Sequence, residues 1–221
     1  MARIDPSLTL GVGGYSIPAG NMFAAENGKC SGAIDNVMPC PEILAMGLRN
    51  PFRMSIDGGV VYIADVGTNN EEVNSFHYKT SKGANFGWPL HDGAVGSSPI
   101  INYRIPIIYY ERFDAIANAF RNEDPEGGAG SGSASIMIGD VYRGNQYANT
   151  VTGKLLFADF YDGFIRAASV DVTGAITDND GVPGVHIKHQ AYVASMVTGG
   201  DDFIYITTYE NGGAVYCLVN P

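Results

Sequence analysis

Two residues able to hold a charged or carbonyl oxygen stand side by side in "GLRNPFR" (47–53). Arg49 brings a planar fork of N–H donors, and Asn50 an amide beside it. Pro51 pushes Asn50 toward an extended backbone, so both side chains leave one short loop. Such a pair can grip a small anion, or it can tie strands together by bonding their backbone carbonyls. Asp65, Glu71 and Glu72, in "ADVGTNNEEVN", are oxygen donors suited to a hard cation, or turn caps and solvated acids. "DNDG" (178–181) resembles the first half of a calcium loop but lacks the completing glutamate, and a tight surface turn is the better reading. His77, His91, His186 and His189 are scattered and read as surface or loop histidines. No phosphate loop, zinc spacing or Gly-x-Ser-x-Gly elbow is present.

The elements that must position these residues are strands. Three stretches share one plan: an apolar strand, a turn rich in Asp, Asn and Gly, and a second strand. They are "VVYIADVGTNNEEVNSFHY" (60–78), "KLLFADFYDGFIRAASVD" (154–171) and "FIYITTYENGGAVYCLVN" (203–220). Asp65, Asp159 and Thr208 fall at the same place in the plan. A further strand precedes each: "FRMSIDGG", "ASIMIGDVYRG" and "AYVASMVTGGDD". Four short antiparallel strands per unit, repeated, predict β-propeller blades. The expectation is an all-β chain forming one partial propeller domain over 1–221. It has a leading strand at 2–8 and blades at about 42–78, 103–171 and 185–220. Residues 79–133 hold long inserts, with Asn85, Trp88 and Pro89 shaping one loop. "PEILAMGL" is the best short helical candidate.

Bulk properties narrow the partners. The chain has 221 residues and a net charge of -10, which disfavours a phosphate backbone or an anionic membrane surface. No apolar run approaches the ~20 residues that span a bilayer. "MARIDPSLTL" has no charged-then-apolar leader. With 29 Gly, 11% aromatic and only 16% charged residues, the composition is that of a turn-rich β protein. Of the three cysteines, Cys30 and Cys40 bracket a short polar loop and could bridge in an oxidising compartment. Cys217, in "AVYCLV", reads as a small buried core residue. Three blades leave two unpaired flanks, so the chain is expected to meet a second copy or a missing N-terminal half.

"YSIPAGNMF", "PEILAMGLRNPFRMSID", "YIADVGTNNEEVN", "GANFGWP", "GDVYRG" and "LLFADFYDGFIR" occur in that order. Together they resemble the C-terminal half of the glucose/sorbosone dehydrogenase family. That family includes the soluble PQQ-dependent sugar dehydrogenases and the hedgehog-interacting-protein-like six-bladed propellers. The resemblance implies a six-bladed fold, a periplasmic or extracellular location and oxidation of a sugar C1 hydroxyl by hydride transfer to PQQ. It also implies that Arg49 and Asn50 face the quinone cofactor and that the Gly67–Thr68 carbonyls ligate Ca²⁺. The chain departs from the pattern in three ways. The family's catalytic histidine lies in the N-terminal half; Tyr161 stands nearest a family lysine; and Ala191 and Val193 stand where arginines are expected. These departures favour a second reading, a non-catalytic binding or self-assembly propeller module.

Overall fold

The structure, a computed structural model, describes residues 1–6, 14–24, 40–81, 83–96, 99–100, 103–112, 133–147, 150–178, 185–189 and 192–219. Three antiparallel sheets follow one another along the chain. The first has β1 (Pro51–Asp57), β2 (Val60–Val66), β3 (Asn70–His77) and β4 (Ile108–Glu111), in that order. The second has β5 (Ile136–Val141), β6 (Lys154–Asp159), β7 (Phe164–Ser169) and β8 (Val185–His189). The third has β9 (Val193–Thr198), β10 (Ile204–Thr208) and β11 (Ala214–Cys217).

The expected repeat is therefore present, with strands regrouped at two junctions. Ile108–Glu111, expected within the second blade, pairs with β3 in the first sheet, Val73 opposite Ile108. Val185–His189, expected to open the third blade, pairs with β7 in the second. In each case the strand fills the open edge left by the preceding hairpin, which satisfies backbone groups that would otherwise lie bare. The N-terminal segment makes single bridges, Ala2 with Ile43 and Asp5 with Ser16. "PEILAMGL" is not helical: it forms turns and a two-residue ladder, Ala45–Met46, parallel to Ala84–Asn85. Leu44 and Ala45 are held there by burial against Phe76 and Phe86.

The first strands of the sheets converge. The Arg53 guanidinium on β1 donates through Nε and Nη2 to the Ala194 carbonyl on β9, at 3.1 and 2.7 Å. Asp140 at the end of β5 accepts from Ser55 Oγ on β1 and from Thr198 N on β9. In the first two sheets the second strands are buried on both faces because their alternate side chains enter different cores. Val60, Tyr62 and Ala64 pack between the first and second sheets with Leu155 and Phe157. Leu156 and Ala158 face the other way, toward Met196, Ile204 and Ile206 of the third sheet.

The two outer flanks are different. On β1, Phe52, Met54 and Ile56 are each 57% exposed, an alternating apolar row on a bare sheet face. Across the third sheet, Val197 opposes Tyr205, which opposes Cys217, and Val197 and Cys217 are exposed. Cys217 is thus a free surface thiol rather than the expected core residue. Its strand supplies the edge of a sheet covered on one face only. Cys30 lies outside the described residues.

Candidate functional site: one rim of three sheets

The ends of the second strands and the starts of the first strands share one rim, and hydrogen bonds link them. Asp65, near the end of β2, accepts from the backbone N–H groups of Arg49 (2.9 Å) and Asn50 (2.6 Å). The carboxylate thereby fixes the loop that Pro51 begins to straighten. Asp159, at the matching place on β6, accepts from Ser135 N, Tyr161 N, Asp162 N and the Tyr110 hydroxyl. It is wholly buried. Thr208, at the third matching place, is buried too, but its hydroxyl has no hydrogen-bond partner among the described residues. The third sheet bonds differently: Tyr192 N donates to the Phe160 carbonyl, and Tyr209 N to the Tyr192 carbonyl.

Arg49 is exposed, but one end of its guanidinium is bonded to the backbone. Its Nη1 donates to the carbonyls of Val66 and Gly67, both at 2.8 Å, and its guanidinium lies 5.5 Å from the Trp88 ring centre. Arg112 Nη1 donates to the same Gly67 carbonyl at 2.7 Å. The Gly67–Asn70 turn is closed from the other side by Asp92, which accepts from the N–H groups of Thr68, Asn69 and Asn70. Glycine is required at 67 by crowding, since a Cβ there would lie 1.7 Å from the Asn70 carbonyl oxygen. Asn50 is exposed.

Burial of acids dominates the electrostatics behind this turn. Desolvation raises Glu71 to about 8, against hydrogen bonding from Ile136 N and the attraction of Arg112, whose Nε is 3.4 Å away. Desolvation raises Glu72 to about 7, against hydrogen bonds from Asn74 and Gly93 N. Asp65 and Asp159 are raised for the same leading cause. Glu71 and Glu72 are therefore buried clasps, with Glu71 joining β3 to the start of β5, rather than solvated groups. Among the described residues, no group of three or more His, Cys, Asp or Glu is arranged to hold a metal ion.

This arrangement does not fit the ligands implied by the sequence. A divalent cation at the Gly67 carbonyl would face two guanidinium groups already bonded to that oxygen. A tricarboxylate quinone would meet Arg49 with Nη1 already bonded to two carbonyls and with the carboxyl groups of Asp65 and Asp92 on the same loop and turn. The structure places Arg49, Asn50, Gly67 and Thr68 at one corner of the first sheet, with Asp65 on the Arg49–Asn50 loop and Asp92 on the turn. Sequence reasoning missed Arg112, Asp92 and Tyr110, which come from the insert region and carry no local motif. Asn85 and Trp88 do shape a loop, through Gly87 N to Asn85 Oδ1 and Trp88 N to the Gly47 carbonyl.

Comparison with known proteins defines the class. No protein-family model matches the chain. In fold it is similar to the soluble aldose sugar dehydrogenase of Escherichia coli, with a TM-score of 0.56 at 19% identity, over 91% of this chain and 50% of that one. It is also similar to the PQQ-bound aldose sugar dehydrogenase of Streptomyces coelicolor, with a TM-score of 0.52 at 17% identity, over 81% of this chain and 43% of that one. The fold is that of a partial β-propeller of the sugar-dehydrogenase type.

In sequence, the chain is similar to the HIPL2 protein of Arabidopsis thaliana, 32% identical over 183 residues, which are 76% of this chain and 22% of that protein. The family read from the sequence is borne out: the chain is one of the glucose/sorbosone dehydrogenase and HIPL group. It spans about a fifth of that curated relative and about half of the solved chains.

Proposed function

We propose that this chain is a non-catalytic section of a sugar-dehydrogenase-type propeller, a binding and assembly module whose flanks complete a larger ring. One observation carries the reading: Arg49 Nη1 and the Gly67 carbonyl are bonded to each other, with Arg112 on the same oxygen. The carbonyl that Ca²⁺ would need, and one of the Arg49 nitrogens that a quinone would need, are thus part of the scaffold. The apolar row Phe52, Met54 and Ile56 and the bare face at Val197 and Cys217 support a partner against each flank. That partner is a second copy or the remainder of a longer chain, so that the 1–221 domain is part of a closed ring. The placement is periplasmic or extracellular, with a Cys30–Cys40 bridge closing the polar loop. Among the described residues, no helix is long and apolar enough to cross a membrane.

A second reading is favoured by Asn50, exposed at the rim beside Arg49. It is a PQQ- and Ca²⁺-dependent oxidation of a small sugar, with Arg49 and Asn50 on the cofactor and Gly67 and Thr68 on the metal. Titration of the folded chain with PQQ in excess Ca²⁺ separates the two. The module reading expects no saturable heat. Tight, Ca²⁺-dependent binding that Asn50→Ala weakens would replace it with the enzyme reading. Light-scattering mass on a sizing column tests assembly, and a well-behaved monomer would remove the second copy as partner.

A further inference from the structure

The rim of the second and third sheets carries a cluster of rings that the clasp of the first sheet does not use. Phe160, just after β6, is met edge-on by three tyrosines from three different turns. Tyr161 stands at 4.9 Å and 82°, Tyr192 at 5.4 Å and 71°, and Tyr209 at 6.0 Å and 66° between ring centres and planes. Burial does not explain them: Tyr161 is 45% exposed, Tyr192 43% and Tyr209 71%. Their hydroxyls make no hydrogen bond among the described residues, so solvation of the phenol ends is complete without the fold.

Position is nonetheless enforced. Tyr192 has a φ of 62°, a left-handed backbone that a bulky residue rarely adopts. Hydrogen bonds on both sides hold it there, to Phe160 and from Tyr209. Thr208, between Ile206 of the core and Tyr209 of the cluster in sequence, leaves a buried hydroxyl unsatisfied. The third sheet thus lacks the carboxylate clasp of its neighbours and has exposed tyrosines packed on Phe160 at that corner.

We infer that Phe160, Tyr161, Tyr192 and Tyr209 form an aromatic site for a quaternary ammonium group. Ring faces are negative and attract a soft, weakly hydrated cation from several sides. The field agrees: the chain carries a net charge of -10, and Asp162 and Glu210 adjoin the cluster in sequence. No internal cation competes. The cation–ring contacts of the described residues involve Phe52, Tyr78, Trp88 and Phe164, none of these four rings. The inference concerns a different part of the rim from Arg49 and Gly67 and rests on the module reading, since Tyr161 and Val193 stand where the enzyme reading expects cationic cofactor ligands.

The test is titration of the 221-residue chain with choline and with its uncharged isostere 3,3-dimethylbutan-1-ol, followed by calorimetry. Choline is expected to bind saturably and at least about fivefold tighter than the isostere. Tyr209→Phe keeps a ring face and should stay within about twofold of the parent, while Tyr209→Ala should weaken binding about threefold or more. Sedimentation with phosphatidylcholine vesicles separates sources: co-sedimentation assigns a lipid headgroup, and choline binding without it assigns a free solute, both in support. Equal affinity for choline and isostere would overturn the inference. So would no choline binding by protein whose circular dichroism shows it folded, or binding indifferent to Tyr209→Ala.

Discussion

The first and third sheets are built to one plan and finish it differently at the rim. At the end of β2, Asp65 grips two backbone N–H groups, and two guanidinium groups close on the Gly67 carbonyl. At the end of β10, the Thr208 hydroxyl has no partner among the described residues, and aromatic rings fill the corner. A repeat fixes where a side chain stands and leaves open whether it holds the scaffold or faces outward. The second sheet lies between them in both senses: Asp159 makes the fullest clasp of all, yet Phe160 and Tyr161 next to it join the aromatic cluster.

The largest effect should come from cutting the fullest clasp. Asp159→Ala removes the acceptor of four hydrogen bonds at a buried position and should destabilise the fold by about 3 kcal/mol or more, read by urea unfolding. Asp65→Ala, losing two backbone bonds, should cost about 2 kcal/mol. An Asp159→Ala protein as stable as the parent would mean that the matching positions do not bind the sheets together.

The pH dependence sharpens the same comparison, because the raised acids lie behind the first sheet's turn. Glu71 and Glu72 hold their protons in the fold up to about 8 and about 7, whereas the unfolded chain releases them near 4.5. Between those values the folded state binds more protons, so stability falls as pH rises. The full contribution is present below about 4.5 and lost as pH passes through about 7 and 8. Melting temperature should therefore decline from pH 5 to pH 9, and Glu71→Gln should flatten that decline. Stability that rises over this range would contradict the buried-acid picture.

The smallest effects belong to the third sheet. Thr208→Val removes a hydroxyl that has no partner and should change stability by less than about 0.5 kcal/mol, or raise it. Cys217→Ser, on an exposed strand, should stay within about 0.5 kcal/mol of the parent. A loss above about 2 kcal/mol at Thr208, in the same urea series, would mean that this position is also a clasp.

Much of this was legible from residue order. The apolar runs "VVYIADV" and "KLLFAD" announce strands buried on both faces, and the turn that follows each set the alignment of Asp65, Asp159 and Thr208. The sheets' fourth strands were harder to place. "IYYE" and "VHIKH" sit after inserts, and only the open edge each fills decides its sheet. Cys217 looked like core because its neighbours are apolar, and a local run cannot reveal that one face of a sheet is bare. The rim was half visible. "GLRNPFR" and "VGTNN" are contiguous motifs, whereas Arg112, Asp92 and the four rings meet only through tertiary contact. Nor could sequence decide which way Arg49 points, since a guanidinium fork serves a backbone carbonyl as well as it serves a ligand.

That direction is the central claim, and Arg49→Ala tests it most directly. Urea unfolding of parent and variant, each without ligand and with PQQ plus Ca²⁺, separates a scaffold arginine from a ligand arginine. The account predicts a ligand-free loss of about 1–3 kcal/mol in the variant, from bonds to a charged donor, and no response to the additions by either protein. A variant as stable as the parent without ligand, together with a parent stabilised by PQQ and Ca²⁺, would contradict it.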